Sequence, residues 1–396
     1  MDSHSSTNQT NGLKFIQVFN RYLNPGGEEK SVARIGCDLE AGGHKVVRFW
    51  KESIEWKGAG APSKIKQPFL MWSNPAVLNE LRHLQEREKA DAWVLHNVLP
   101  VISLGIYRLA RQLKIPVIQW LHNYRPLSPS GTLMIRNRQL RPDDPFIYLK
   151  ETLAGTWRGR LLTGWLSLGY AKAERAGDFD AVRAWIAVSD EMRAIFLKAG
   201  FPSDRLFTLR HSWHIEPAPP EIRDEGHFLF LGRMVEAKGI RFLINLWNNP
   251  ALERIPLVMA GQGDLVESLK AISPSHVRWV GHVEGEEKRR LIAGCRGIVF
   301  PSIWPEPLST VAYEAYQMKK PILASNLGGM KEIVFDGQTG RLLEPENHGV
   351  WLDAVRSMDS AQAARWGTAG RQWLDEHVST ASWNRQFDGI IGQVLR

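Results

Sequence analysis

The chain reads as an α/β protein built from two doubly wound, Rossmann-like domains in tandem. Three observations predict this. Its 396 residues are too many for one core, short apolar runs alternate with helical patterns, and the alternation restarts after a proline-rich break. Single hydrophobic cores stop growing at roughly 250–300 residues, so two domains of near-equal size are expected. Hydrophobic residues at 43% and charged residues at 23% are ordinary globular values and exclude a disordered chain.

In the first half, residues 13–19, 45–49, 92–96, 116–121, 185–188 and 206–209 have the apolar content of buried strands. Helix-like stretches at 28–41, 75–88 and 190–199 lie between them. Such alternation predicts a parallel sheet with helices on both faces. The break is Ile215-Glu216-Pro217-Ala218-Pro219-Pro220, suited to a linker. Beyond it, strands are predicted at 228–231, 257–260, 277–280, 297–300, 321–324 and 341–343. A last amphipathic helix is expected over 382–395. The domains so drawn are residues 1–215 and 216–379, with 380–396 as a terminal helix. Open parallel sheets bind ligands outside the carboxyl ends of their strands. Two such domains facing each other would gather those loops around one cleft.

The richest segment follows the strand ending at Phe300. A proline-punctuated loop carries Glu306, and a helix is expected from about Leu308, with Leu308, Val311, Ala312, Ala315 and Tyr316 at helical spacing. Its first amides, near Ser309, Thr310 and Val311, lack intrahelical acceptors and form a ready site for a diphosphate. Glu314 lies eight residues beyond Glu306, about 12 Å along a helix at ~1.5 Å per residue. That spacing suits gripping a sugar hydroxyl at one end and a ribose at the other. Arg233 and Lys238, flanked by Gly232 and Gly239, follow the first strand of the second half and suit closing around a pyrophosphate. Read one at a time, these are also a helix-terminal acid, a surface glutamate and a solvated basic loop.

Together the motifs resemble the retaining glycosyltransferases of family 4, which have the GT-B fold. The resemblance rests on Gly232-Arg233-Met234-Val235-Glu236-Ala237-Lys238-Gly239, Gly261-Gln262-Gly263 and the glutamate pair Glu306 and Glu314 in Glu306-Pro307-Leu308-Ser309-Thr310-Val311-Ala312-Tyr313-Glu314. Gly328-Gly329-Met330-Lys331-Glu332 and Asp336-Gly337-Gln338-Thr339-Gly340 complete it. The first half is similar more loosely. Asn24-Pro25-Gly26-Gly27-Glu28 looks like the family's glycine-rich loop, and His122-Asn123-Tyr124-Arg125 like its active-site histidine segment. Two departures stand out: Leu308-Ser309-Thr310 replaces an aromatic-glycine pair, and His211-Ser212-Trp213-His214-Ile215 stands where many relatives carry Asn-Gly-Val-Asp.

The resemblance implies a GT-B chain, its terminal helix crossing back onto the first domain, that moves a hexosyl-type sugar from a nucleoside-diphosphate sugar to a glycan or lipid-linked glycan acceptor. Arg233 and Lys238 would neutralise the donor diphosphate, helped by the amides of Ser309, Thr310 and Val311. Gly27 would let backbone approach the phosphate. Glu306 would hold hydroxyls of the transferred sugar, Glu314 the donor ribose, and His122 would touch the sugar from the opposite domain. The loop at Gly281, His282 and Val283 is expected to select the base, with UDP favoured over GDP. No cofactor beyond this donor and no metal are implied, and attack is on the face from which the phosphate leaves. The further resemblance is to enzymes of bacterial surface-polysaccharide or glycolipid assembly.

Charge is unevenly placed: the net +8 divides into +10 over residues 1–215 and −2 over the rest. Ala92 to Pro142 holds seven basic residues and no acidic one. Such a field attracts nucleic acid, anionic lipid or a phosphorylated substrate. The aromatic-plus-basic platform of a nucleic-acid binder is absent as a motif, so that class is ranked below a transferase and no nucleic-acid partner is expected. A GT-B epimerase or hydrolase is the nearer alternative and would turn over donor without acceptor. Residues 161–171, flanked by Arg158, Arg160 and Lys172, suit a helix lying on an anionic membrane and equally a buried one. No stretch has the ~20 apolar residues of a membrane span, and the N-terminus shows no signal-peptide pattern. With two cysteines, Cys37 and Cys295, the expectation is a reducing, cytoplasmic setting, with peripheral contact at the inner membrane face.

Overall fold

A computed structural model describes residues 12–23, 26–217 and 224–395. The polar tail up to Asn11, Asn24 and Pro25 of the first glycine-rich loop, and Ala218, Pro219 and Pro220 of the break lie outside the described residues.

All twelve strands expected from the sequence form, six in each of two parallel sheets. The first sheet contains β1 (Lys14–Arg21), β2 (Lys45–Glu52), β3 (Ala92–Leu95) and β4 (Val117–Leu121). After a small antiparallel hairpin, β5 (Met134–Ile135) and β6 (Arg138–Gln139), it is completed by β7 (Val182–Ala187) and β8 (Leu206–Thr208). Its order is β2-β1-β3-β4-β7-β8, with Phe15 opposite Val46 on one side and Ala92 on the other. The second sheet contains β9 (Phe228–Leu231), β10 (Leu257–Ala260), β11 (Val277–Gly281), β12 (Gly297–Phe300), β13 (Ile322–Ser325) and β14 (Gly340–Leu343), in the order β11-β10-β9-β12-β13-β14.

Central strands such as β3, β4, β9, β10 and β12 are buried along their whole length. Helices cover both faces of a parallel sheet, so these strands are continuous apolar runs rather than alternating ones. In each sheet the strand order reverses beside the first strand of its domain, at β1/β3 and at β9/β12. The crevices at these reversals are where ligands bind in open α/β sheets.

The terminal helix, Thr380–Val394, starts two residues before the expected position, because Ser379 Oγ accepts the Ser382 amide (3.3 Å) and caps it. It packs on the first sheet: Trp383 stacks on Trp120 with ring centres 5.8 Å apart, Phe387 meets Phe15 edge-on, and Asp388 lies 3.1 Å from His44 Nε2. The helix expected from Leu308 runs instead over Thr310–Gln317. The Gly329 amide donates to the Glu306 carbonyl (2.8 Å), and Ser309 has the extended conformation of an N-cap, so the chain from 306 to 308 cannot begin the helix.

Candidate functional site

The loops at the two strand-order reversals meet in one cavity of about 680 Å³ between the domains. From the first domain it is lined by Gly26, Gly27 and Glu28 after β1, Leu99 and Pro100 after β3, and His122, Asn123 and Arg125 after β4. The second domain supplies Gly232, Arg233 and Lys238 after β9, and Trp304, Glu306, Ser309, Thr310 and Val311 after β12. Eight side chains or glycines singled out in the sequence are thus brought together: Gly27, His122, Arg233, Lys238, Glu306, Ser309, Thr310 and Val311. The other four stand off its lining. Glu314 pairs with Lys288 (2.5 Å), exposed His282 lies 3.4 Å from Glu284, Val283 is buried, and Gly281 accepts the Gly261 amide (2.6 Å) at the end of β11.

On the second-domain wall, Lys238 forms an ion pair with buried Glu306, whose Oε1 also accepts from Ser302 Oγ (3.2 Å). The Lys238 ammonium lies 5.3 Å from the Phe300 ring centre, a cation held over an aromatic face. Gly239 ends the short turn Glu236–Lys238 at φ +69°, and a Cβ there would run into the Pro301 carbonyl. A glycine is therefore what lets the Lys238 loop lie against the Glu306 loop. Gly328, at φ +56°, has the same relation to the Glu306 backbone. Arg233 is exposed to the cavity, and no carboxylate among the described residues pairs with it. Ser309, Thr310 and Val311, at the start of Thr310–Gln317, line the same space, adding the positive end of a helix to two cations.

On the first-domain wall, the histidines form a row. His96 Nδ1 lies 2.9 Å from His122 Nε2, and the His122 ring stacks parallel to His211 with centres 6.2 Å apart. The Gln17 amide nitrogen donates to the Val32 carbonyl (2.8 Å), which fixes the orientation of that amide, and lies 3.2 Å from His96 Nε2. His96 Nε2 must then accept, its Nδ1–H donates to His122 Nε2, and His122 keeps its proton on Nδ1. Burial pushes the His122 pKa down to about 3, and burial together with the neighbouring ring lowers His96 and His211 well below the usual range. All three are neutral near pH 7.

Glu28, which the sequence reading placed in the glycine-rich loop without a role, is a second ionisable group on this wall. Tyr22 donates to its Oε2 (2.9 Å), while Oε1 is buried without a partner. Burial raises its pKa to about 7, against the opposing pull of Tyr22, Arg125, Asn123 and Arg233. The signal that could have found it is its position, directly after two glycines and a predicted strand. His96 is the last residue of one predicted strand, and His211 lies two residues beyond another. Arg125 lines the cavity, whereas Arg138 and Arg141 of the basic stretch are exposed, Arg141 paired with Asp143.

The two walls are tied together. Tyr124 Oη donates to the Pro305 carbonyl (2.6 Å) and Trp304 Nε1 to the Thr132 carbonyl (2.8 Å), so the chain just before Glu306 is gripped twice by the first domain. Among the described residues no helix is long and apolar enough to cross a membrane, and no three His, Cys, Asp or Glu side chains group as a metal site.

Residues 213–373 match the family model of the Glycosyl transferases group 1. The chain is 30% identical over 237 residues to an alpha-maltose-1-phosphate synthase of Mycolicibacterium smegmatis, covering 51% of this chain and 61% of that protein. It is 26% identical over 211 residues to O-antigen chain mannosyltransferase B of Escherichia coli, covering 47% and 54%. The matches span from about a third to about three fifths of the length of these and similar curated relatives. In structure it is similar to Anabaena HepE, solved in complex with UDP, with a TM-score of 0.65 at 17% identity over 96% of this chain and all of that one. The chain thus has the GT-B fold and carries, over residues 213–373, a glycosyl transferases group 1 domain.

Proposed function

We propose that the protein is a retaining, family 4 glycosyltransferase that moves a hexosyl group from a nucleoside-diphosphate sugar, UDP favoured over GDP, to a glycan or lipid-linked glycan acceptor. Residues 1–215 receive the acceptor, 216–379 hold the donor, and 380–396 form a terminal helix packed back on the first domain. The observation that carries this is the convergence of Arg233, Lys238, Glu306 and the helix start at Ser309–Val311 on one cavity that His122 lines from the opposite domain.

A donor diphosphate placed against that helix start would meet Arg233 directly and would draw Lys238 from Glu306. Glu306, so released, accepts hydrogen bonds from hydroxyls of the sugar. The bond between the anomeric carbon and the phosphate oxygen breaks with its electron pair leaving on the diphosphate, where the two cations and the helix N-terminus stabilise the charge that develops. The acceptor hydroxyl oxygen bonds to the same face of the anomeric carbon and gives its proton to the departing phosphate oxygen. The cations take the place a metal ion would have at the diphosphate. His122, neutral with its proton on Nδ1, offers a donor to a sugar oxygen without adding charge. Glu314 toward the ribose, and Gly281, His282 and Val283 toward the base, complete the donor site from just outside the present lining.

The test is a thermal-shift panel of UDP, GDP, ADP and common nucleotide sugars on the wild type and on Arg233→Ala/Lys238→Ala. A ligand at about 100 times its Kd stabilises the native state by about 2.7 kcal/mol. One nucleoside diphosphate should raise the midpoint in the wild type and not in the variant. No response to any nucleotide would overturn the reading.

A further inference from the structure

The large hydrophobic side chains that stay more than half exposed are concentrated on one part of the first domain. Seven of them belong to three neighbouring helices or their caps: Ile65 and Phe69 on Lys66–Trp72, Phe146, Leu149 and Leu153 on Ile147–Ala154, and Leu161 and Leu168 on Arg160–Arg175. Within each helix they are spaced three, four or seven residues apart, so each helix turns one apolar stripe outward.

Contacts place the stripes side by side. Leu161, Trp165 and Leu168 share one face of Arg160–Arg175 by their spacing. Trp165 packs on Phe69 (ring centres 4.7 Å apart) and stacks on Trp72 (4.3 Å), which sets the first helix against one flank. On the other flank Ser167 Oγ lies 3.4 Å from Thr152 Oγ1, and a Cβ on Gly164 would come within 3.0 Å of the Thr152 methyl, so Ile147–Ala154 crosses there. The buried side of the middle helix, Leu166, Tyr170 and Ala173, faces the core. Leu161, 91% exposed, is the crest of a surface that no other described residue covers.

Cations predominate around it, although Asp143 and Asp144 precede Phe146 and Glu174 lies near the end of the third helix. Lys57, Lys64 and Lys66 have no acidic residue near them in sequence between Lys57 and Trp72, and from Pro145 to Ala173 the one carboxylate, Glu151, is buried against Ser128, Ser130 and Thr156. Lys64, Lys66, Arg158, Arg160 and Lys172 have no carboxylate partner among the described residues. Exposed leucine and phenylalanine stripes rimmed by unpaired cations complement an anionic lipid surface, which takes the apolar side chains between its chains and the cations at its headgroups. The face also borders the site. Trp157 and Arg158, in the turn joining the second and third of these helices, line the interdomain cavity.

We propose that this three-helix face seats the protein peripherally on an anionic bilayer, with the cavity opening beside the membrane surface. An acceptor carried on a lipid then reaches the cavity without leaving the bilayer; that consequence rests on the transferase reading, whereas the docking does not.

The experiment is co-sedimentation with vesicles of phosphatidylglycerol and phosphatidylcholine in equal parts, and with phosphatidylcholine alone. It is run on the full chain and on Leu161→Glu/Leu168→Glu and Arg160→Glu/Lys172→Glu. The wild type should partition onto the anionic vesicles, less so as salt is raised, and each double variant should lose about tenfold or more. Because these side chains are exposed, unchanged melting midpoints and nucleotide responses will show that the variants are folded. Wild-type protein that stays in the supernatant, or variants that partition like the wild type, would overturn the proposal. So would light scattering that finds a wild-type dimer and a Leu161→Glu/Leu168→Glu monomer, since a second copy would then cover the face. Vesicle binding by a protein that answers no nucleotide would leave the docking standing and remove the transferase reading; the reverse result would do the opposite.

Discussion

Glu28 takes up a proton on folding, because burial raises its carboxyl from the ordinary 4.5 to about 7. The stability this contributes is complete below the unfolded value and is lost as pH rises through about 7. At about 1.4 kcal/mol per unit of pKa, the effect is bounded at about 3 kcal/mol, less whatever solvent in the cavity screens. Glu28→Gln keeps the neutral shape and removes the titration. Urea unfolding of the variant should therefore match the wild type near pH 4 and exceed it near pH 8, and a difference that does not change with pH would refute the assignment. The histidine row has the opposite sign. His122, at about 3, is neutral in the fold and protonated in the unfolded chain below about 6.5, so it withdraws stability as pH falls. Nitrogen-15 spectra should show His96 and His122 protonated on Nδ1 well below pH 6; an Nε2 tautomer for either would break the chain of donors from Gln17. The sequence pointed to His122 through its motif. Glu28, His96 and His211 were hidden because their character comes from burial beside one another, which neighbouring positions in sequence do not encode.

At the level of elements, strands buried on both faces were legible as apolar runs, and the helix caps moved boundaries by only two residues. The hairpin β5–β6 was not legible, since strands of two half-buried or exposed residues carry no period. The glycine-rich turns were legible as turns, but their different jobs appear only in three dimensions. Gly239 stands at φ +69° with the Pro301 carbonyl where a Cβ would be, so Gly239→Ala should destabilise by about 2 kcal/mol or more. It should also weaken the nucleotide response by displacing Lys238. Gly27 begins the helix Gly27–Ala41, and a Cβ there meets nothing within 4 Å. Gly27→Ala should thus leave stability unchanged or raise it by up to about 1 kcal/mol, while intruding on the space proposed for the donor phosphate. The pair separates fold from function: chemical unfolding should tell against Gly239→Ala alone, and nucleotide titration against both. A Gly27→Ala variant that binds nucleotide like the wild type would remove that loop from the phosphate site.

The whole molecule is two domains held face to face by contacts on both flanks of the cavity. On one flank Tyr124 and Trp304 link the Glu306 loop to the first domain. On the other, Glu332 receives the Glu191 amide (2.7 Å) and the Arg210 guanidinium (2.6 Å), and Lys331 pairs with Glu191 (2.5 Å). The first flank carries the Lys238–Glu306 pair, so opening the domains there moves the proposed sugar-binding carboxylate away from His122. A neutral hydrogen bond of this kind is worth about 1 kcal/mol net, and two of them are enough to shift a closed-to-open ratio by tens of fold. Tyr124→Phe/Trp304→Phe removes both donors and keeps an aromatic ring at each position, leaving the other flank as a hinge. In small-angle scattering the double variant should have a larger radius of gyration than the wild type without ligand, and should return to the wild-type value when nucleotide sugar is added, at the cost of weaker apparent binding. Either single variant should show about half the change in free energy. If the double variant scatters and binds like the wild type, the two bonds do not set the closed state, and the ion pairs around Glu332 would have to carry it.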